Sequence, residues 1–339
     1  MNTPDDSRRH PYAQVARGRV YDRAIAVQGV DTLKQTRTVA VERWQFTVDV
    51  EGNEGMPAVL FLHGYPNSRH SWAELLGPLG ASGYRAIAPD QRGYSPGARP
   101  GDTASYHVDE IVNDAVGLAD SLGIGRFHLV GHDWGGQVAW LTAIRHPERL
   151  HSLTVLSRPH PAAFAEALAH DPKQAHRSRH HKAFQDPGMA ARLLAEDGAS
   201  IRNTLCFENA SGLFGGEDDG RETVPKRRMS DEMAARHLSV LGTEAAMDAA
   251  LNWYRAAFAG GSTLARADLP AVTVPTLYIW GDEDMSVGRA AAEGTARHVD
   301  APYEFVAVEG AGHFLAEEVP QRVLAALLPH LEQHQAGAA

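Results

Sequence analysis

The chain predicts an α/β protein: a mostly parallel eight-stranded sheet flanked by helices, with a helical cap inserted between late strands. Three observations carry this. Short apolar runs of buried-strand type alternate with helical stretches, which is the pattern of a parallel sheet covered on both faces. From Arg158 to Ala267 the strand signal disappears and the pattern turns helical. Glycine-rich breaks bearing Asp or His side chains follow several of the strand runs, where such folds keep their chemistry.

Taken in order, residues 1–36 are broken up by Pro, Gly and charged residues and form an expected extension that wraps the core or frays. Val39 to Val50 reads as a pair of opening strands. Buried-type strands then follow at Ala58 to Leu62, Tyr84 to Ala88, Phe127 to Val130, Leu153 to Leu156, Thr276 to Trp280 and Glu304 to Val308. The expected organisation is a core of residues 37–157 and 268–339 and a cap of residues 158–267, with breaks at Asp186 Pro187 Gly188 and Gly212 to Gly220. The cap helices are expected to close a mostly apolar, water-poor pocket.

Composition bounds the function. At 339 residues the chain supports one large core plus a smaller layer. A hydrophobic fraction of 43% and a charged fraction of 22% are those of a soluble globular protein. No apolar run approaches the roughly 20 residues of a membrane helix. Met1 to Arg19 is polar and lacks the apolar core of a signal peptide, so a cytoplasmic protein is expected. One cysteine, Cys206, excludes an intramolecular disulfide framework. A net charge of -10 disfavours nucleic acid, and Lys226 Arg227 Arg228 reads as a solvated face. The 18 histidines show no paired metal-ligand spacing, so no metal is expected, and the reaction read below needs no cofactor. The chain admits a homodimer.

The chemistry centres on Gly131 His132 Asp133 Trp134 Gly135 Gly136, a glycine-flanked turn between a strand run and a helix run. Its projecting side chain is a carboxylate. With a reference pKa of about 3.9, aspartate is ionised at neutral pH and attacks without a general base. Attack on an ester carbonyl gives a reactive anhydride. Attack on a saturated carbon bearing a leaving group gives an alkyl ester, so displacement at carbon is the expected first step.

Hydrolysis of that ester needs an activated water. His313, in the glycine-rich loop Glu309 to Phe314, is the candidate base, and Asp284 after the strand ending at Trp280 is its orienting acid, with Asp282 in reserve. The order nucleophile, acid, histidine is that of an α/β hydrolase. The ester carbonyl needs an oxyanion hole, assigned to the backbone amides of Tyr65 and Trp134. His63 and Pro66 in the same turn are placed at the substrate pocket, with His63, like His132, expected to shape its loop rather than to transfer protons.

These motifs resemble the α/β-hydrolase superfamily and, within it, the epoxide hydrolase and dehalogenase group, over roughly residues 40–335. His63 Gly64 Tyr65 Pro66 is similar to the epoxide hydrolase His Gly x Pro motif, and Gly131 to Gly136 to its aspartate elbow. Asp90 Gln91 Arg92 Gly93 resembles a loop common across α/β hydrolases. The resemblance implies two cap tyrosines that assist the departing epoxide oxygen. Leu251 Asn252 Trp253 Tyr254 Arg255 matches the motif of the second, which assigns that role to Tyr254 and puts Trp253 in the pocket. The first is absent: before Phe184 Gln185 Asp186 Pro187 the chain carries His180, with His181 beside it.

Two readings of His180 stay open. It either donates a hydrogen bond to the epoxide oxygen alongside Tyr254, or belongs to a halide pocket. Haloacetate dehalogenases carry arginines where this chain has Trp134 and Gln137. Haloalkane dehalogenases pair tryptophan with an oxyanion-loop asparagine, where this chain has Tyr65; an alternative acid position holds Ser157. The resemblance therefore implies hydrolysis of a small apolar epoxide to a vicinal diol. The alternatives are a haloalkane or haloacid dehalogenase using the same aspartate, and a specialised natural-product hydrolase.

Overall fold

The computed structural model describes residues 13–15, 34–207, 226–259 and 268–335. Most of the predicted extension, the Gly212 to Gly220 break and the end of the predicted cap, 260–267, lie outside the described residues.

In chain order the sheet and its flanking helices are β1 (Ala13–Val15), β2 (Gln35–Val41), β3 (Trp44–Glu51), β4 (Ala58–Leu62), α1 (Ala73–Ala81), β5 (Arg85–Pro89), α2 (Val108–Ser121), β6 (Phe127–His132), α3 (Trp134–Arg145) and β7 (Leu150–Leu156). A run of helices follows: α4 (Pro161–His170), α5 (Pro172–Arg177), α6 (His180–Ala183), α7 (Met189–Phe207), α8 (Asp231–Leu241) and α9 (Glu244–Ala259). The chain then returns through β8 (Thr276–Gly281), α10 (Arg289–Gly294), β9 (Tyr303–Val308), α11 (Leu315–Glu318) and α12 (Pro320–Gln333).

The strand order is β1-β9-β8-β7-β6-β4-β5-β3-β2. β2 and β3 form an antiparallel hairpin, β3 pairs antiparallel with β5, and all other pairs are parallel. This is the predicted mostly parallel eight-stranded sheet, with the short β1 from the N-terminal extension added at one edge. Sequence pattern missed β1 because three residues are too few to show a periodicity.

Alternation along the buried strands sorts the core onto two faces. Val59 and Phe61 of β4 pack with Trp72, with Leu75 and Leu79 of α1, and with Val323 and Leu327 of α12. Leu60 and Leu62 join Leu129, Val138 and the apolar residues of the inserted helices. Fully burying each such side chain contributes roughly 1.5–3 kcal/mol, so a register slip in β4 would be resisted on both faces. No helix among the described residues is long and apolar enough to cross a membrane.

The inserted helices are less regular than the core. α7 is interrupted at Ala195 to Gly198, where Glu196, Asp197 and Gly198 take positive φ values of 52°, 58° and 75°. Left-handed geometry costs a non-glycine residue about 1–2 kcal/mol, so packing on either side must hold this break.

The topology positions the site. β5 and β6 lie on opposite sides of β4, so the chain reverses its direction of travel across the sheet there. The crevice beyond the carboxyl ends of the strands at such a reversal is where α/β sheets bind ligands.

Candidate active site

Asp133 stands between β6 and α3 with φ 49° and ψ −116°, a sparsely populated backbone conformation. Close packing requires the glycines around it. A Cβ on Gly135 would lie 2.0 Å from the Leu62 carbonyl oxygen, and one on Gly64 would lie 2.6 Å from Asp133 Oδ1. The oxyanion-loop backbone therefore approaches the carboxylate directly, and the Tyr65 amide donates to Asp133 Oδ1 at 3.0 Å. Trp134 opens α3, so its N–H is one of the amides a helix leaves without an internal acceptor. The Asp133 side chain is 17% exposed, enough to meet a ligand in the cavity in front of it.

His313 Nδ1 donates to Asp284 Oδ2 at 3.0 Å, and its Nε2 lies 3.8 Å from Asp133 Oδ2. Asp284 is itself fixed, its Oδ1 accepting from the amides of Ser286 at 2.7 Å and Val287 at 2.8 Å. Asp282, the reserve acid, instead accepts from the Gly310 amide at 2.7 Å. The His313 carbonyl is held by His132 Nε2–H at 2.9 Å and the Ser157 hydroxyl at 2.8 Å. Ser157 thus supports the base loop.

The electrostatics follow from this geometry. Burial works against a charged His313, but the Asp284 charge and the hydrogen bonds to Asp133 and Asp284 outweigh it and raise its pKa well above the ordinary imidazole value. Burial likewise opposes the Asp133 charge, yet His313, His132 and the Tyr65 amide hold it below the usual carboxylate range. Each member of the pair therefore favours the charged form of the other.

The inserted helices cover this centre. Tyr254 on α9 is buried, with its ring edge-on to Phe184 at 4.8 Å, Trp134 at 5.0 Å and Tyr65 at 5.4 Å. Burial, then the Asp133 charge, push its pKa well above that of a free phenol, so it stays an O–H donor. His180 opens α6, and its Nδ1 lies 3.0 Å from the Arg177 carbonyl oxygen. A carbonyl only accepts, so Nδ1 carries the proton. Burial lowers the His180 pKa to about 4, against the opposing pull of Asp133. The neutral ring therefore presents the lone pair of Nε2, and it donates through both nitrogens only as imidazolium.

Tyr65, Asp133, Arg158, Phe164, Ser178, His180, His181, Thr204, Tyr254, Ser286, Val287, His313 and Phe314 line a cleft with about 480 Å³ of atom-free space, part of it open to solvent. Three sequence-based pocket assignments need correction. His63, Pro66 and Trp253 are absent from this lining. His63 Nδ1 donates to the Gly64 carbonyl, and its Nε2 accepts from the Gln91 amide, so it braces the oxyanion loop. Pro66 forms a cis peptide with Tyr65. Trp253 donates to the Arg92 carbonyl at 2.8 Å and packs edge-on against Trp134.

His181 lines the cleft. The lining is more polar than predicted, because Arg158, Ser178, Thr204 and Ser286 reach it from four separate segments. Arg158 was overlooked although it follows β7 closely, much as Asp133 follows β6. Its place beyond the carboxyl end of a central parallel strand was the available signal.

Comparison with known proteins places these features in a family. A family model for the alpha/beta hydrolase fold matches residues 57–320. Epoxide hydrolase A of Mycobacterium tuberculosis is 32% identical over 300 residues, covering 83% of this chain and 92% of that protein. The AB hydrolase superfamily protein YfhM of Bacillus subtilis is 32% identical over 287 residues, covering 84% of this chain and 93% of that protein. Among solved structures, one of novel epoxide hydrolases from metagenomes of hot environments superposes with a TM-score of 0.72 at 30% identity, over 88% of this chain and 99% of that one. Epoxide hydrolase A from Mycobacterium thermoresistibile gives a TM-score of 0.73 at 26% identity, over 88% and 98%.

Proposed function

Because the chain belongs to the epoxide hydrolase group of the α/β-hydrolase fold, we propose that it opens an epoxide to a vicinal diol through an alkyl ester on Asp133. The observation that carries this reading is the arrangement of Asp133, His313 and Asp284. Asp133 faces the cleft with the Tyr65 amide on its Oδ1 and His313 Nε2 3.8 Å from its Oδ2, and Asp284 holds the far side of the His313 ring.

In the first step an Asp133 oxygen attacks a carbon of the epoxide ring, and its C–O bond opens. Tyr254 donates a hydrogen bond to the departing oxygen; the alkoxide takes up a proton and the His313 imidazolium gives one up, so that ester formation leaves a hydroxyl group and a neutral imidazole. A neutral His180 cannot duplicate that donation while Nδ1–H serves Arg177. Tyr254 therefore carries the donor role, and His180 shapes the wall beside it.

Ester formation then switches the base. Esterified Asp133 has lost its negative charge, so two of the influences that raise the His313 pKa vanish with it. His313 becomes a better proton acceptor at the moment a water must be activated, while Asp284 keeps its ring in place. That water gives a proton to His313 as it attacks the ester carbonyl, whose developing oxyanion meets the amides of Tyr65 and Trp134; breakdown returns that proton to the leaving diol oxygen, and the new carboxyl group passes its own proton to His313 to become the carboxylate again. The single buried thiol, Cys206, fits a reducing cytoplasmic setting.

One turnover in heavy-oxygen water with enzyme in excess tests the route. Peptide mass spectrometry should find the label in Asp133. Label confined to the diol would reject the covalent intermediate, and halide release without epoxide opening would redirect the same chemistry to dehalogenation.

A further inference from the structure

Gln174 is a fully buried polar side chain on α5 that the proposed reaction does not use. Its amide nitrogen donates one hydrogen to the Ser178 hydroxyl at 3.1 Å and the other to the Ser286 carbonyl at 2.9 Å, and its amide oxygen accepts from the Gly288 N–H at 2.8 Å. These partners fix which way the amide faces, because a carbonyl only accepts and a backbone N–H only donates. The loop lies directly against α5 here: a Cβ on Gly288 would come within 3.4 Å of Gln174 Oε1.

These contacts reach the loop that holds the acid. Asp284 Oδ1 is gripped by the amides of Ser286 and Val287. The Ser286 carbonyl and the Val287 N–H are two edges of one planar peptide unit, so Gln174 holds one edge while the other holds Asp284. The next peptide unit is pinned in the same way, its Val287 carbonyl accepting from Trp280 Nε1 at 3.1 Å and its Gly288 N–H donating to Gln174. Trp280 lies on β8 and Gln174 on α5, so the sheet supplies one support and the inserted helices the other. Without Gln174 a buried N–H and a neighbouring carbonyl lose their partners, and the peptide units that carry the grip on Asp284 are free to rotate.

Building on the ester reading, we infer that Gln174 is a positioning residue for Asp284, through which the seating of the inserted helices sets the orientation of the base His313. Asp284 holds the His313 ring, and His313 takes the proton of the water that splits the ester. Ester formation relies on Asp133 and Tyr254, which are located by the Tyr65 amide and by aromatic rings. Hydrolysis of the ester therefore depends on Gln174 more than its formation does, and water is activated efficiently only while α5 rests on the acid loop.

Rapid quenching followed by intact-protein mass spectrometry separates the two steps, with styrene oxide as the probe. Gln174→Met keeps the length of the side chain and removes its three hydrogen bonds. It should slow ester hydrolysis by about 10- to 100-fold and ester formation much less, so that alkylated Asp133 accumulates and kcat and KM fall together. A change that merely disturbs the fold would lower kcat and kcat/KM alike and leave KM unmoved. Gln174→Glu has the same shape and decides the matter if Gln174→Met does not fold. Its carboxylate accepts from Gly288 but cannot donate to Ser286, so hydrolysis should be slow at about pH 9 and approach the wild-type rate at the same pH as the buried carboxyl group is protonated toward about pH 6. The proton NMR resonance of His313 Nδ1–H, assigned by its loss in His313→Gln, reads the same geometry without any epoxide and should shift in either variant at about pH 9. Wild-type ester hydrolysis in a folded variant at that pH overturns the inference, as does equal slowing of both steps or an unmoved His313 resonance. A shifted resonance in an enzyme that forms no ester on Asp133 would keep Gln174 as the positioning residue while rejecting the ester reading.

Discussion

The strand-end loops and the inserted helices contribute to the same cleft but hold their side chains by different means. In the loops, backbone hydrogen bonds do the positioning. Two amides fix Asp284, two side-chain donors fix the His313 carbonyl, and the Tyr65 amide meets Asp133. In the insert, Tyr254 is located largely by the faces of other aromatic rings. Backbone geometry tolerates little change, whereas side-chain packing accepts many solutions of equal volume. The reaction type is thus fixed by the sheet, and the substrate class is left to residues that can vary without unfolding it.

The largest expected effect lies on the sheet side. Asp133→Asn should lower kcat/KM by at least about 10⁴-fold while leaving the circular dichroism spectrum unchanged, since asparagine tolerates positive φ. Retention of even a hundredth of the wild-type rate would show that Asp133 is not the nucleophile.

The same contrast explains what the sequence disclosed. Runs such as Val59 to Leu62, buried along their length and ending in His63 Gly64 Tyr65 Pro66, announce both a strand and the turn after it. The grouping of Asp133, Asp284 and His313 was legible because each follows such a strand within four or five residues. The cleft lining was not. Ser178, Thr204 and Ser286 are ordinary polar residues in their local context, and only the packing of three segments makes them neighbours. The α7 break was equally hidden, because Glu196 and Asp197 carry no local signal for left-handed backbone.

Within the insert, the two candidate donors should separate cleanly. Tyr254→Phe removes the only hydrogen its side chain can offer and should lower kcat by about 10²- to 10³-fold. His180→Phe should cost less than about 10-fold at neutral pH, because the neutral ring already commits Nδ1–H to Arg177. Equal losses in the two variants would restore the paired-donor scheme and place a charged His180 in the cleft.

A smaller effect tests whether the two regions are independent. Arg228, just before α8, donates to Glu318 and to the Gly310 carbonyl. Glu318 in turn accepts from the amides of Gly312 and Phe314, which flank the base. Removing the strap with Arg228→Gln should lower kcat by about 3- to 10-fold, the order expected for one hydrogen bond to a charged group, and Arg228→Lys should recover part of it. A variant with lower stability and unaltered kcat would mean that the strap joins the regions without steadying His313.

The smallest effect concerns pH, and here the two regions should show opposite signs. His313 has a folded pKa raised above its unfolded value of about 6.5. Its stabilisation is therefore complete below about pH 6.5 and is lost as pH rises through the folded value. His180 has a folded pKa depressed to about 4 by burial. Its contribution is complete above about pH 6.5 and is lost as pH falls toward 4, because the unfolded chain then binds a proton that the folded one refuses. The Tm advantage of wild type over His313→Gln should shrink as pH is raised from about 6 to about 9, and the advantage over His180→Phe should shrink as pH is lowered from about 7 to about 5, each by a few °C. Parallel slopes would mean that both histidines carry the same charge at neutral pH, and the distinction between a protonated base in the sheet and a neutral wall in the insert would fail.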